Sequence, residues 1–540
     1  MKLKILLFLL SIFIASAINA QEDNLSWFHV RLVESSVIPS FEKENTYLKY
    51  TGNDVVLNKI FQENEIITFR KAHPTSKNDT LKRTYLLISK NDKLLRELLK
   101  NASHVFEYGE ALPEEETQVF YPNDYGTTNV LGTNVVDSLF LDYLDFLEVP
   151  KAWYYTTGSR DVVIGISDGT VDTTNIDFKG KVKVLRKSTL SKGHGYGVAA
   201  NAAAQGNNGY GIPGICYDCS IYATSFGFFG SLKTLTELSD AGVRIINCSW
   251  GGSKYYETAQ EAVYKMYEKG AIIVAAGHNR SWADTKGKVF SYPASYDKVI
   301  SVASVMHRYD TISDNILLDK NGDYYAANIK HFLGRTIGFK DNDTTKVHHI
   351  YDISTSNLNP GVDILVPSVG LFRFSKFILE NKRVYTEYES TSGGTPFVSG
   401  TIGLMLTLNP CLTFDEIDSI LKITSINIDY IEDNKRYAGN YGAGVLNTGS
   451  AVKFVHDLMN EDEIAYIENQ LFSRWDFEIN AISKEVIIKN QEFTKESTFK
   501  LNSKKSVLLE GNVLFEPNED GSILIEINQE VDVDCDLDNE

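Results

Sequence analysis

Hydrophobic and polar positions change their pattern three times along the chain. In the middle, short apolar runs recur at Val162–Ile166, Arg244–Asn247, Ala271–Ala276 and Val299–Ala303, nearly continuous rather than alternating. Strands buried on both faces read this way, and the stretches between them accommodate helices. An α/β unit with a mainly parallel sheet is therefore predicted from Asp161 onward. Upstream, Trp27–Leu32 and Thr84–Ile88 are strand-like and Asp92–Leu99 is charged and amphipathic, which predicts a small α+β unit over 21–117. Acidic residues around Pro113, followed by Tyr121-Pro122-Asn123-Asp124, read as an exposed linker with turn chemistry. After Met459 the pattern becomes short strands separated by polar turns, including Val486–Ile488, Ser506–Leu509 and Ser522–Ile527, so 459–540 is expected to be a small all-β module with an acidic tail. No long tandem repeat is apparent.

The central unit, 118–458, is interrupted from Met306 to Asn357 by what reads as an insertion, with Asn321-Gly322 marking a tight hairpin. Asp319-Lys320-Asn321-Gly322-Asp323 also begins like a calcium loop. Tyr324 and Lys330 stand where that loop needs Gly and Glu, so the hairpin is preferred.

Charge and cysteine content narrow the partners. Lys+Arg 53 against Asp+Glu 71 leaves a formal charge of −18, which repels nucleic-acid phosphates and anionic membrane surfaces, and no basic patch offsets it. Lys2 and Lys4 precede an apolar run from Ile5 to Ile14 and the small residues Ala15, Ser16, Ala17 and Ala20. The run is shorter than the roughly 20 residues of a spanning helix, so 1–20 is read as a cleaved signal peptide and the mature protein as exported, without a transmembrane segment. Five cysteines cannot be the main scaffold of 540 residues. Cys216-Tyr217-Asp218-Cys219 suits a small disulfide ring, since zinc would need a second pair; Cys248 reads as a buried thiol, and the pairing of Cys411 and Cys535 stays open.

Three local patterns carry candidate chemistry. Asp168 follows an apolar strand, where α/β sheets build their sites. His194 stands in Gly193-His194-Gly195, and Ser392 precedes an apolar helix in Ser390-Thr391-Ser392-Gly393-Gly394-Thr395-Pro396. Ser392 could cap that helix and also be a nucleophile, because exposed N–H groups at a helix start stabilise an oxyanion. A serine nucleophile needs a base, and the base needs a third group to orient it.

In order and in neighbouring residues these patterns resemble the subtilisin-like serine peptidases. Asn247-Cys248-Ser249-Trp250-Gly251-Gly252, Tyr292-Pro293-Ala294-Ser295 and Pro360-Gly361-Val362-Asp363-Ile364 extend the resemblance over Leu141–Val455. It implies a three-layer α/β/α sandwich and endopeptidase chemistry on proteins or peptides: Ser392 as nucleophile, His194 as proton shuttle and Asp168 as its orienting carboxylate. It implies a substrate-pairing edge at Ser249, Trp250 and Gly251. The oxyanion donor is Asn279, or His278, because Ala275-Ala276-Gly277-His278-Asn279 has one residue more than the family pattern. Other departures are Tyr196-Gly197 after His194-Gly195, Ser390 in place of Gly, and Gly394 in place of Ala. Asp177 and Asn208 match positions of a structural calcium site; no cofactor is implied for the chemistry itself. The N-terminal unit resembles the family's propeptide, with maturation within Tyr108–Asp124 and a monomer expected afterwards. Two rival expectations are a binding protein that kept the groove and lost turnover, and a narrow processing protease walled by the insertion.

Overall fold

The computed structural model describes residues 25–531 apart from 45–46, 74–75, 77, 126, 130–135, 139–140, 190–192, 281, 355–356 and 375–384. The leader at 1–20 and Cys535 lie outside the described residues. Two compact units are present, Met1–Gln118 and Val119–Glu540.

The first unit is an antiparallel six-stranded sheet with Ser26–Leu32 paired between Thr84–Ser89 and Phe106–Ala111. Phe28, Val30 and Leu32 bury against Leu57 and Ile60 of the helix Val55–Glu63 and against Leu94 and Leu98 of the helix Leu94–Asn101. Asp54 starts the first of these helices by accepting the Val56 and Leu57 N–H groups at 2.8 and 2.9 Å.

The second unit is built on seven parallel strands: β1 (Val163–Asp168), β2 (Val182–Val184), β3 (Ser220–Ser225), β4 (Ile245–Cys248), β5 (Ile272–Ala276), β6 (Val299–Val305) and β7 (Ile364–Pro367). Their order is β2-β3-β1-β4-β5-β6-β7. Four helices pack on this sheet: α1 (His194–Ala203), α2 (Lys233–Asp240), α3 (Glu257–Glu268) and α4 (Thr391–Leu408). Successive side chains of a strand point to opposite faces. Accordingly Ile246, Cys248, Ile273 and Ala275 pack with Leu235 and Leu238 of α2 and Val263 and Met266 of α3. Ile245, Ile272 and Val274 join Val198 and Ala202 of α1 and Val398 and Ile402 of α4 on the other side. The result is a three-layer α/β/α sandwich.

Helix α4 is apolar on all sides and almost wholly buried, the mark of a helix inside a core. Its glycines set how closely it packs. A Cβ on Gly394 would stand 2.5 Å from Val366 Cγ2, and one on Gly400 would stand 2.5 Å from Ile215 Cβ and 2.9 Å from the Ala202 carbonyl of α1.

Within the insertion, Ile316–Leu318 pairs antiparallel with Tyr324–Ala326. The connecting turn is closed by Asp319, whose carboxylate accepts the Asn321 and Asp323 N–H groups at 2.7 and 3.0 Å, with Gly322 at φ 85°. Cys216 and Cys219 form the expected disulfide, and Cys248 is a free thiol whose pKa burial pushes up. Among the described residues no helix is long and apolar enough to cross a membrane.

The C-terminal strands are β8 (Ile464–Glu468), β9 (Leu471–Phe472), β10 (Asp476–Ala481), β11 (Glu485–Lys495), β12 (Thr498–Ser503), β13 (Val507–Pro517) and β14 (Ser522–Ile527). They do not form hairpins. They stack in parallel as a solenoid: Phe472 on Phe493 on Phe515, and Phe477 on Phe499 on Ile523, with offsets of 21 to 24 residues. This is a structural repeat where the sequence shows none. Glu416 and Ser419 of the helix Phe414–Ile423 bond β10 directly, through Asn480 Nδ2 at 2.8 Å and the Glu478 N–H at 2.8 Å.

Candidate active site

Asp168 is the last residue of β1, at the C-terminal edge of the sheet, and His194 is the first of α1. Gly195 explains how they meet. A Cβ there would stand 2.3 Å from the Gly169 carbonyl, so only glycine lets the Asp168-Gly169 backbone pass across the start of α1. His194 Nδ1 consequently donates to Asp168 Oδ1 at 2.7 Å, and the Gly169 N–H donates to the same oxygen at 2.5 Å. The Asp168 side chain is 4% exposed and that of His194 49%. A dry carboxylate thus fixes an imidazole that is itself half-exposed.

Ser392 lies in the first turn of α4, one residue past its start. It is not the helix cap. Ser390 is, with an extended backbone (φ −173°) and an Oγ that accepts the Ser392 N–H at 3.1 Å. The head of α4 is held from three sides. Asn201, two turns along α1 from His194, donates Nδ2 to the Gly393 carbonyl at 2.7 Å. Ser249 Oγ donates to the Ser392 carbonyl at 2.9 Å. Asn279 Oδ1 accepts the Thr391 N–H at 2.8 Å. Asn247 extends the second tie, donating Nδ2 to Ser249 Oγ and accepting Ser399 Oγ, each at 2.9 Å. Asn201 was missed in the sequence, and Asn247 was read only as part of a strand motif; the available signal was a lone amide in an otherwise apolar helix or strand.

The backbone turns sharply at 278–279. His278 adopts φ 85° and its Nδ1 accepts the Asn279 N–H at 2.8 Å, so the ring folds back on its own chain. Burial, with Arg280 nearby, lowers its pKa and favours the neutral ring this bond needs. Asn279 points to the head of α4, its Nδ2 donating to Ser390 Oγ at 3.4 Å.

The β4 exit is less open than the sequence implies. Ser249 is buried, and Gly252 pairs with Tyr292 through hydrogen bonds of 2.8 and 2.7 Å. Trp250 donates Nε1 to the Ser167 carbonyl at 2.9 Å and meets Phe229 edge-on at 5.0 Å. Phe228 and Phe229 are exposed. Tyr196 packs edge-on against Phe178 at 5.2 Å.

Asp177 and Asn208 do come together, with Asn208 Nδ2 donating to Asp177 Oδ1 at 2.9 Å and Asn208 Oδ1 accepting the Tyr210 N–H at 2.9 Å. The exposed linker expected at Tyr121–Asp124 is instead docked on this corner. Asn123 Oδ1 accepts the Gly209 N–H at 2.8 Å, and the buried Asp124 accepts the Asn208 N–H at 3.1 Å. Burial raises the Asp177 pKa to about 7, and the neighbouring Asp124 charge adds to the rise. The two buried carboxylates supply oxygen donors of the kind a hard cation takes, although the buried Lys181 already acts on Asp177 as a cation.

Fold and site define a class, the hydrolases that set an Asp-His pair and a helix-borne Ser at the C-terminal edge of a parallel sheet. The subtilase family profile matches residues 159–445, and the chain belongs to that family. It is 24% identical over 305 residues to subtilisin DY of Bacillus licheniformis, covering 54% of this chain and 91% of that protein. It is 33% identical over 172 residues to thermitase of Thermoactinomyces vulgaris, covering 29% of this chain and 60% of thermitase. The minor extracellular protease Epr of Bacillus subtilis (strain 168) is 29% identical over 184 residues, and the match spans only 28% of Epr's length. Among solved structures, fervidolysin from Fervidobacterium pennivorans aligns over 79% of this chain and 61% of its own, with a TM-score of 0.42 and 17% identity.

Proposed function

We propose that the protein is an exported serine endopeptidase that cleaves proteins or peptides through an acyl-enzyme. The observation that carries this reading is the 2.7 Å bond from His194 Nδ1 to the buried Asp168, beside a helix whose head presents Ser392. Asp168 fixes the tautomer in which Nε2 is the proton acceptor. Ser392 Oγ attacks the scissile carbonyl as Nε2 takes its proton, and the carbonyl π pair moves onto oxygen. Collapse of the tetrahedral intermediate breaks the C–N bond, the amine leaves with the proton from Nε2, and water repeats the sequence to free the acid. Asn279 Nδ2 and the Ser392 N–H stabilise the oxyanion, and His278 positions Asn279. Ser249 serves mainly to hold the Ser392 carbonyl. Trp250, Phe228 and Phe229 line the approach and favour apolar side chains.

A calcium ion held by Asp124 and Asp177, with Asn208 orienting the latter, would neutralise that corner and stabilise the fold; no chemical step needs it. The N-terminal α+β unit is proposed to be a propeptide removed on maturation, and the leader at 1–20 a signal peptide. The test is incubation of the chain from Gln21, and of its Ser392→Ala variant, with intact-mass analysis and a fluorophosphonate probe. The parent sheds its N-terminal unit and takes the probe; the variant does neither. If both stay intact and unlabelled, with calcium and after trimming by trace protease, the peptidase reading fails and a non-catalytic binding scaffold replaces it.

A further inference from the structure

The hydroxyl of Ser390 accepts two hydrogen bonds, from the Ser392 N–H at 3.1 Å and from Asn279 Nδ2 at 3.4 Å. These are the two donors that the proposed mechanism assigns to the oxyanion. We propose that Ser390 is a latch on the oxyanion hole: in the resting enzyme its Oγ occupies the oxyanion's place, and a substrate carbonyl reaches both donors only when that hydroxyl turns away. The inference rests on the serine-peptidase reading.

The geometry leaves little room for both acceptors. One N–H cannot serve two oxygens at full strength, and the Asn279 amide is held by the Thr391 N–H on its other end at 2.8 Å, so it cannot swing aside. Ser390 is joined to Ser392 by one intervening residue and has an extended backbone. Rotation about its Cα–Cβ bond is therefore the only movement needed to clear the hole, and side-chain rotamers interconvert far faster than turnover. The latch stabilises the resting enzyme and is lost in the transition state, so it raises the barrier to acylation. It also keeps the head of α4 capped when no substrate is bound.

Capping and latching predict opposite rankings of variants. Ser390→Gly and Ser390→Ala remove the hydroxyl; Ser390→Asp keeps an excellent N-cap but puts a carboxylate where negative charge must develop. If Ser390 is a latch, kcat on a short peptide anilide rises about tenfold in Ser390→Gly and Ser390→Ala, the equivalent of one competing hydrogen bond. In Ser390→Asp it falls at least about a hundredfold while the melting temperature is kept. If Ser390 only caps the helix, Ser390→Ala loses both kcat and stability while Ser390→Gly stays close to the parent in both. That ranking, or a kcat unchanged in all three, overturns the proposal. Fluorophosphonate labelling of the parent separates the two layers: labelling at Ser392 with the wrong variant ranking sinks the latch alone, whereas no labelling of parent or variants sinks the peptidase reading with it.

Discussion

Gly400→Ala tests whether packing between two helices, rather than any reacting group, sets the alignment of nucleophile and base. Gly400 lies on α4 about 12 Å along the helix from Ser392. An added Cβ would meet Ile215 Cβ at 2.5 Å and the Ala202 carbonyl at 2.9 Å. Both neighbours belong to the His194 side of the site: Ala202 is on α1, and Ile215 is hooked to α1 by its N–H to the Asn201 carbonyl at 3.1 Å. Restoring carbon contacts of about 3.5 Å requires α1 and α4 to separate by about 1 Å. Overpacking of this kind costs about 1–3 kcal/mol, and replacing a mid-helix glycine returns up to about 1 kcal/mol, so the net loss of stability is modest. Activity is the sensitive readout, because a 1 Å misplacement of reacting groups costs on the order of 10²-fold. The expected result is a kcat/KM on a peptide anilide reduced about 10- to 100-fold, with a parallel fall in fluorophosphonate labelling and a melting temperature only a few degrees lower. Gly403→Ala is the control, since its Cβ would meet the Cys216 and Cys219 sulfurs at 3.0 and 3.1 Å, a milder crowding than at Gly400. Activity within about twofold of the parent in Gly400→Ala, or an equal loss in both variants, would refute the reasoning.

Asn279→Ala should lower kcat by about 10²–10³ with KM unchanged, whereas His278→Gly, which suits φ 85°, should cost only about threefold; the reverse ranking would put the imidazole in the oxyanion hole. Chelation should lower the melting temperature of the Ser392→Ala protein, by the equivalent of about 3 kcal/mol where calcium stood a hundredfold above its Kd, and native mass spectrometry should find no calcium in Asp124→Asn or Asp177→Asn. A chelator-insensitive parent would remove calcium from the account. His331 gives the pH dependence: burial, with Lys330 adding, depresses its pKa to about 4. The unfolded chain binds this proton first, so His331 contributes full stability above about pH 6.5 and loses it progressively as pH falls to about 4, by at most about 3 kcal/mol. Urea midpoints at about pH 7 and pH 4.5 should differ less in His331→Asn, and an equal difference would exclude this residue as the source.

The central sheet was legible because strands buried on both faces leave continuous apolar runs, and nothing else in the chain competes with that signal. Asp168 and His194 were legible for a related reason: the glycines at 169 and 195 are demanded by the close passage that joins them. Local sequence was a weaker guide to the start of α4. Ser390, Thr391 and Ser392 are all good first-turn residues, and only the backbone shows that the helix begins after Ser390, which moves the cap two positions from the nucleophile. The solenoid stayed hidden because its spacing varies from 21 to 24 residues and its stacked positions change identity, as where Phe499 gives way to Ile523; stacking requires apolar bulk at each position, not a repeated residue. Asp124 was hidden by its turn chemistry, which reads the same whether the turn is solvated or docked.

The polar partnerships at Asn201, Asn247 and Asp124 went unread for a shared cause that bears on the site itself. Each concerns a polar group whose partner is distant in the chain: Asn201 with Gly393, Asn247 with Ser399, Asp124 with Asn208. Apolar burial is additive and local enough to show as a period, whereas a buried polar group is tolerated only where a specific partner meets it. Such pairs hold the head of α4 against α1 and β4, so the parts that aim Ser392 are also the parts least visible in sequence. It follows that Asn201→Ala, which removes one amide and leaves every recognised motif intact, should misalign Ser392 and His194. A loss of kcat of about tenfold or more, with a labelling rate that falls in step, is expected. Parent-like kinetics with an undiminished melting temperature would mean that α4 is aimed by its apolar contacts alone.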